Sequence, residues 1–578
     1  MRCRSDAAGG FQKIFWTPNS VSIGSRIRIR ILLRTATRCC YTRAVNDAAI
    51  TRPPTRTRLR RAIASSLINP AEASLVTGSA LLTILSFPDF ELWFLAWVSL
   101  VPLLIVVART TSFRKSFVAG WLWGVIFFYG TCWWLTYPMI HYAQVRAWIA
   151  YPLLLLPIAF VAVFPAVACG LTARISHPFG ATALLITPFV WVAFDWLRYV
   201  VTGQVWNAIG YSQAFHPMMI QPARWGGVYA VGLLILFPNA AVALFVISRQ
   251  FVLPLIAIVI VAVVLVATSG IFQRGPITRL KLDASNAIEV IGIQPNVPMD
   301  LSGDDREMKE LLQRHFRLTE SALQQYERRG LPTVVLWPES PMNFSYSRDP
   351  QLRKTLGDFA RANDISILLN SLEPAKTVGD QNSAILVNEK GEMSARYDKI
   401  RLMPFGEYVP LPHWLPGASS VRGLVGEFTP GSSYTLMPLG ALRAGVFICI
   451  EAAHPSIARN FASAGADVLI NISNDGYLGP TPVMRQHLAN AVFRAVENDR
   501  ELVRVTNSGI TAVIGPNGSV YGETTGFHQD VRTWTVTKHE SSTYYSRHGD
   551  VFVYACALIS LGFISVSFMK RRSSEARL

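Results

Sequence analysis

Three side chains in this sequence have the right types to work on one another's protons: Glu339 in VVLWPES, Lys399 in YDKIRLMPFGEYVP and Cys449 in GVFICIE. A carboxylate, an ammonium and a thiol together make a nucleophilic acyl-transfer set. A free thiol titrates near about 8.5, so at neutral pH it needs a base or a neighbouring cation before it can attack. Glu339 can take the thiol proton. Lys399 can favour the thiolate and stabilise the oxyanion of a tetrahedral intermediate. The backbone N–H of Ile450, next after the thiol, is a natural second oxyanion donor. Taken singly, Cys449 reads as a small buried hydrophobe, Glu339 as a cap and Lys399 as a surface cation. Their combination is what outweighs those readings.

Each of the three must be delivered by an element. AIEVIGIQ, PTVVLWP, ISILLNS, SAILVN, LRAGVFICI and ADVLINIS are short Val- and Ile-rich runs bounded by Pro, Asn or Gly, and they predict strands. REMKELLQRHFRLTESALQQYERR, DPQLRKTLGDFARAND and MRQHLANAVFRAVENDR carry helical periodicity between them. Strands alternating with helices predict an α/β layered domain over 274–550. Glu339, Lys399 and Cys449 then all fall just after strands, where such folds place their sites.

The rest of the chain is of another kind. Of 578 residues, 51% are hydrophobic and only 16% charged, against about 25% charged in soluble globular proteins. Apolar runs near 70–87, 91–108, 118–140, 148–172, 180–200, 227–248, 251–272 and 551–569 approach the roughly 20 residues that a bilayer-spanning helix needs. They predict eight spans, seven in a membrane domain over 66–273 and one over 551–570, with a tail at 571–578. Arg58, Arg60, Arg61, Arg109, Arg114, Lys115, Arg174, Arg249, Lys570, Arg571 and Arg572 all fall on one face, which the positive-inside rule makes cytoplasmic. Both termini are then cytoplasmic, and 274–550 faces the periplasm from a bacterial inner membrane. Asp195 and Arg198 sit near one end of a span, could pair across a helical turn, and read as interfacial anchors.

The formal net charge of +17 is no sign of nucleic acid, because the first 62 residues hold thirteen arginines and Lys13 against Asp6 and Asp47, which is +12 of it. Segment 1–65 reads as a disordered tail or the product of a start placed too far upstream. The seven cysteines show no CxxC spacing, so neither a metal site nor a disulfide framework is expected, and no organic cofactor is implied.

With these residues in the order Glu339, Lys399, Cys449, the sequence resembles the nitrilase superfamily. Within it, LWPES, YDKIRLMPFGEYVP, GVFICIE, NISNDGYLG followed by QH, TNSGITAVIGPNG and, in the membrane half, GQVWNAIGYSQ with Asn239 resemble the apolipoprotein N-acyltransferases over about 70–570. That resemblance implies an αββα sandwich inserted into a polytopic helical membrane domain, acting as a monomer without metal or cofactor. It implies acyl transfer from a membrane phospholipid, through a Cys449 thioester, to the α-amino group of a diacylglyceryl-cysteine at the N-terminus of an apolipoprotein. It assigns Glu407 to orienting Lys399 and Glu451 to the acceptor side of the pocket, a structural ion pair being the alternative for each.

The apolar residues Trp414, Leu415, Leu424, Val425 and Phe428, between Lys399 and Cys449, predict a lipid-facing lid. Two departures from the family pattern are Ile450, where Tyr is usual, and Gly476-Tyr477-Leu478, where Ala-Trp-Phe is usual. Competing readings are a membrane-tethered nitrilase-type amidase acting on a small amide, and a transporter or receptor that uses the α/β domain only for binding. The second gives no reason for the three chemical residues to occur together.

Overall fold

The computed structural model describes residues 67–575 apart from 89, 111, 274–282, 302–303, 326, 328, 377–378 and 410–427. The Arg-rich segment and the tip of the expected lid, with Trp414, Leu415, Leu424 and Val425, lie outside the described residues.

Among the described residues, five helical runs are long and apolar enough to cross a membrane: Phe113–His141, Ala147–Thr202, Ala223–Ser248, Val252–Gly270 and Val551–Lys570. Two shorter apolar helical stretches, Pro70–Leu85 and Trp93–Arg109, precede them. The eight spans expected from apolar length are therefore redrawn. The 56-residue run Ala147–Thr202 is three helices, Ala147–Val161, Val163–Phe179 and Thr187–Thr202, where spans at 148–172 and 180–200 were expected. Pro165 has no N–H to offer the Val161 carbonyl, and the helix breaks there. Helices Phe113–Cys132 and Val163–Phe179 approach so closely that a Cβ on Gly120 would stand 2.8 Å from the Ala166 Cα, the small-residue contact that lets helices pack without a hydrophobic driving force.

Irregular backbone at this depth has to find partners within the protein. Asn239 supplies them at the break between Trp93–Trp97 and Val101–Arg109, accepting from Leu100 N–H at 2.8 Å and donating to Ala96 C=O at 2.9 Å. Gln213 donates to Trp93 C=O at 3.0 Å. Asp195 and Arg198 pair at 3.4 Å, and the guanidinium also donates to Trp206 C=O at 2.8 Å. Arg198 is buried, so it braces the turn after its helix instead of reaching an interface as expected.

Among its described residues the α/β domain has twelve strands: β1 Ala287–Gln294, β2 Thr333–Leu336, β3 Ser366–Pro374, β4 Asp380–Val387, β5 Met393–Asp398, β6 Leu436–Leu439, β7 Leu442–Ile448, β8 Val468–Ser473, β9 Leu502–Thr506, β10 Ala512–Ile514, β11 Val520–Tyr521 and β12 Asp530–Thr537. They form two six-stranded sheets, ordered β12-β1-β2-β3-β4-β5 and β11-β10-β9-β8-β7-β6. Each has a parallel centre, β1-β2-β3 and β7-β8-β9, and antiparallel flanks. Strand alternation sorts the core. Ile288, Val290, Val334, Leu336, Leu368 and Leu386 pack into the layer between the sheets with Val446, Ile470 and Val503. Ile291, Ile293, Val335, Ile367 and Leu369 face helices Asp305–Gln325 and Pro350–Asn363.

The second sheet is covered by helix Val483–Asn498, and this helix is buried on its polar side as well as its apolar one. Gln486 accepts from the indole N–H groups of Trp206 at 2.9 Å and Trp134 at 3.2 Å, and donates to the carbonyls of Thr131 at 3.0 Å and Pro88 at 3.3 Å. Glu497 accepts from Val228 N–H at 3.0 Å, beside the kink at Gly226 and Gly227, and pairs with Arg494 at 2.8 Å. The α/β layer and the apolar helices thus share one continuous core.

Candidate active site

Glu339 stands three residues past β2, Lys399 directly after β5 and Cys449 directly after β7, so one sheet contributes two groups and the facing sheet the third. Their delivery by strand ends is as expected from the sequence. Lys399 Nζ lies 2.9 Å from Glu407 Oε1 and 3.5 Å from Glu339 Oε1. Asn382, on β4, spans the same two carboxylates, donating to Glu339 Oε1 at 2.9 Å and Glu407 Oε1 at 2.7 Å. Asn474 N–H fixes the other Glu339 oxygen at 3.1 Å, and Met403 N–H fixes the other Glu407 oxygen at 2.7 Å.

Burial alone would push the Lys399 ammonium down, but the charges of Glu407 and Glu339 outweigh it and hold the group well above the usual lysine range. Burial raises the Cys449 thiol; the Glu339 carboxylate adds to that and Lys399 opposes it. The resting pair is an ammonium held by two carboxylates and a protonated thiol within their field.

Cys449 has a φ of 52°, left-handed backbone in a non-glycine residue. Such geometry costs about 1–3 kcal/mol and persists only where its surroundings impose it. Here the chain leaves β7 and turns at once into the 3₁₀ turn Cys449–Ala453. The thiol is thereby lifted off the strand end, and the residue stays partly accessible.

Glu451 is fully buried. One carboxylate oxygen accepts from Tyr397 O–H at 2.8 Å, Ile400 N–H at 2.8 Å and Arg401 N–H at 3.0 Å, and the other from Ile448 N–H at 2.8 Å. A carboxylate is an acceptor with about four lone-pair sites. Glu451 uses them to tie the segment carrying Lys399 to the turn carrying Cys449. Phe428, the described member of the expected lid, donates its N–H to the Glu407 carbonyl at 3.0 Å and bridges Asp380.

Sequence reasoning assigned no role to Asn382, Asn471, Asp475, His487 or Arg504. Asp475 accepts from His487 Nδ1 at 2.8 Å and from Arg504 at 2.8 and 3.1 Å; burial alone would raise its carboxyl, but the Arg504 guanidinium and the His487 contact hold it far below the usual range. His487 Nε2 reaches the Cys449 carbonyl at 3.0 Å. The signal available was NISNDGYLG followed by QH, a polar run in which neither partner is near the other in sequence. At the departure from the family pattern, Gly476 is packed so that an added Cβ would meet Ser508 Oγ at 2.5 Å. Tyr477 stacks on Tyr142 of the membrane half with centroids 5.1 Å apart.

Residues 79–241 match the family model described as apolipoprotein N-acyltransferase N-terminal domain, and residues 308–544 match that of carbon-nitrogen hydrolase. The apolipoprotein N-acyltransferase of Geobacter metallireducens is 31% identical over 505 residues, covering 85% of this chain and 94% of that protein. The protein of the same name from Allorhizobium ampelinum is 32% identical over 423 residues, covering 71% and 77%. Among solved structures, an amidase from Nesterenkonia sp. aligns with 48% of this chain and 98% of its own at 19% identity, with a TM-score of 0.34. By relatives 31% and 32% identical that it covers to 94% and 77% of their length, the chain belongs to the apolipoprotein N-acyltransferase family.

Proposed function

We propose that the protein transfers a fatty acyl group from a membrane phospholipid to the free α-amino group of an S-diacylglyceryl-cysteine at a lipoprotein N-terminus, with Cys449 as nucleophile. The observation that carries this reading is the convergence of Glu339, Lys399 and Cys449 at strand ends of a layer whose core is continuous with apolar helices. The match over 79–241 favours acyl transfer over the amidase reading, which accounts for the carbon-nitrogen hydrolase match alone.

In the first step Cys449 Sγ attacks the ester carbonyl while Glu339 takes the thiol proton. The thiol is raised, so proton removal accompanies attack and does not precede it. Lys399 and the Ile450 N–H stabilise the oxyanion. The C–O bond breaks, the lysophospholipid alkoxide receives the proton from Glu339, and a thioester remains. In the second step the amine attacks the thioester, the C–S bond breaks, and the amine proton returns through Glu339 to the sulfur. Glu407 keeps Lys399 in place, and Glu451 fixes the distance between the lysine segment and the cysteine turn.

Drawing a whole acyl chain into water would cost on the order of 10 kcal/mol at about 0.8 kcal/mol per methylene, so the site belongs at a membrane surface. The cationic residues flanking the apolar helices support cytoplasmic termini and a catalytic layer on the outer face of the inner membrane. Mass spectrometry of Cys449 after incubation with phosphatidylethanolamine, with Cys449→Ala as control, tests the reading. A hydroxylamine-sensitive adduct, discharged by a diacylglyceryl peptide with a free N-terminus, is the expected result. Hydrolysis of small amides with no adduct would overturn it.

A further inference from the structure

The Cys449 carbonyl is held by two side-chain donors that belong to no part of the reaction described above. His487 Nε2 lies 3.0 Å from it and Asn471 Nδ2 lies 3.5 Å from it. Both donors are themselves clamped by one residue. Arg504, fully buried on β9, donates to Asn471 Oδ1 and makes a two-pronged contact with Asp475, which in turn holds His487 Nδ1 at 2.8 Å. Asn471 also donates to Phe447 C=O at 3.2 Å, at the end of the strand that carries the thiol.

A carbonyl oxygen can only accept, so His487 Nε2 must carry a hydrogen to make its contact. The peptide unit that follows Cys449 is planar, and its C=O and N–H point in opposite directions. Pulling the Cys449 carbonyl toward helix Val483–Asn498 therefore aims the Ile450 N–H the other way. Ile450 lies in the first turn of the segment Cys449–Ala453, where amides have no partner within the turn. That turn begins at a residue with a φ of 52°, so the orientation of this peptide unit is imposed from outside and is not a local preference.

We propose that His487 is a positioning residue for the oxyanion site: with Asn471 it pins the Cys449 carbonyl so that the Ile450 N–H points at the developing oxyanion, and Arg504 with Asp475 fixes both donors. The inference rests on the reading of Cys449 as the acylated nucleophile. It adds a demand that a merely structural histidine would not make. Acylation passes through a tetrahedral oxyanion, whereas alkylation of the same thiol by iodoacetamide does not, so loss of the pinned carbonyl slows the first and spares the second.

The test uses the full-length protein in detergent micelles, with Cys449 acylation by phosphatidylethanolamine followed in a single turnover and iodoacetamide alkylation of Cys449 measured alongside. His487→Ala is expected to slow acylation about 10- to 100-fold, a fraction of the roughly 10²–10³ lost with an oxyanion donor itself, while alkylation stays within about twofold. His487→Gln, whose amide N–H reaches the same carbonyl, is expected to recover acylation to within about fivefold of the parent. Equal loss in both reactions would overturn the proposal by showing displacement of the thiol. Unchanged acylation in His487→Ala, or a Gln variant as slow as Ala while alkylating normally, would also overturn it. Absence of acylation in the parent protein would instead remove the nucleophile assignment, a result distinguishable from these.

Discussion

Lys399 Nζ stands 2.9 Å from Glu407 Oε1, closer than the 3.5 Å that separates it from Glu339, and the lysine is 1% exposed. The closer carboxylate is thus the one with no reason to move protons, which leaves Glu339 less committed to the ammonium. Replacing Glu407 by Gln leaves Glu339 as the buried cation's one remaining carboxylate partner in the triad. Glu339 is then drawn into a full ion pair and becomes a poorer base. Acylation of Cys449 is expected to fall about 10²-fold, the scale of a lost general base, with the fold retained; single-turnover acylation of the purified variant measures it. Activity equal to the parent would remove Glu407 from the mechanism.

Glu451 makes a different prediction because both of its carboxylate oxygens are engaged by donors of the protein itself. Its loss in Glu451→Ala orphans the N–H groups of Ile448, Ile400 and Arg401 and the Tyr397 hydroxyl. Hydrogen bonds to a charged group are worth about 1.5–3 kcal/mol each, and unmade buried donors cost more than absent ones. The variant is expected to lose at least about 3 kcal/mol, seen as a lower thermal midpoint in detergent, whereas Glu451→Gln keeps part of the set and falls between. A midpoint unchanged in the Ala variant would contradict the placement described.

His454 follows Glu451 and is buried, and burial together with the charges of Arg401 and Arg494 lowers its imidazole from 6.5 to about 3. The folded state therefore binds its proton less readily than the unfolded chain. Its contribution to stability is present above about 6.5 and is lost as pH falls from there toward about 3. Replacement by Phe, a ring that cannot charge, should flatten the acid limb of the stability profile over that range. Thermal midpoints of parent and variant at pH 7 and pH 4.5 give the comparison; equal acid losses in both would refute the assignment.

Gln486→Leu leaves the indole N–H of Trp206 without its acceptor, removes one of the two contacts of the Trp134 indole, and takes a donor from the carbonyls of Pro88 and Thr131, inside the seam with the membrane helices. An expected cost of about 2–4 kcal/mol follows from unsatisfied buried polar groups, and thermal unfolding checks it. Gln486→Glu, which keeps the acceptors and loses the donors, should fall less far at the Trp contacts.

Glu339 and Cys449 were legible because each sits at the end of a short apolar run, and Lys399 through the loop run YDKIRLMPFGEYVP; a thiol, an ammonium and a carboxylate are informative only together. The network behind them was not. Nothing in LVRVT or NISNDG names a partner for Arg504 or Asp475, yet both are buried, paired with each other at 2.8 Å. β5 escaped notice because Met393–Asp398 is an edge strand with exposed polar positions. The periodicity of MRQHLANAVFRAVENDR predicts helix Val483–Asn498 but does not say what Gln486 and Glu497 meet. They meet the carbonyls, indoles and kinked backbone of the membrane half, a surface that strand and helix periodicity within the domain does not encode. Span boundaries failed where prolines divided one long apolar run, since hydropathy alone does not register a missing N–H.

Helix Val483–Asn498 also sets an order of assembly. Outside the helix, the Gln486 and Glu497 side chains take their partners from segments made earlier, from Pro88 to Val228, and the apolar side of the helix has partners on strands made both before and after it. A ribosome delivers the membrane half first, so the surface that receives Gln486 and Glu497 exists before the helix does. The second sheet then closes over a template already in the bilayer, and a copy of the α/β layer expressed without those segments would carry a stripe of unmatched donors and acceptors into water. The maturation of this domain is templated by its membrane neighbour, which makes insertion a checkpoint for the thiol's competence.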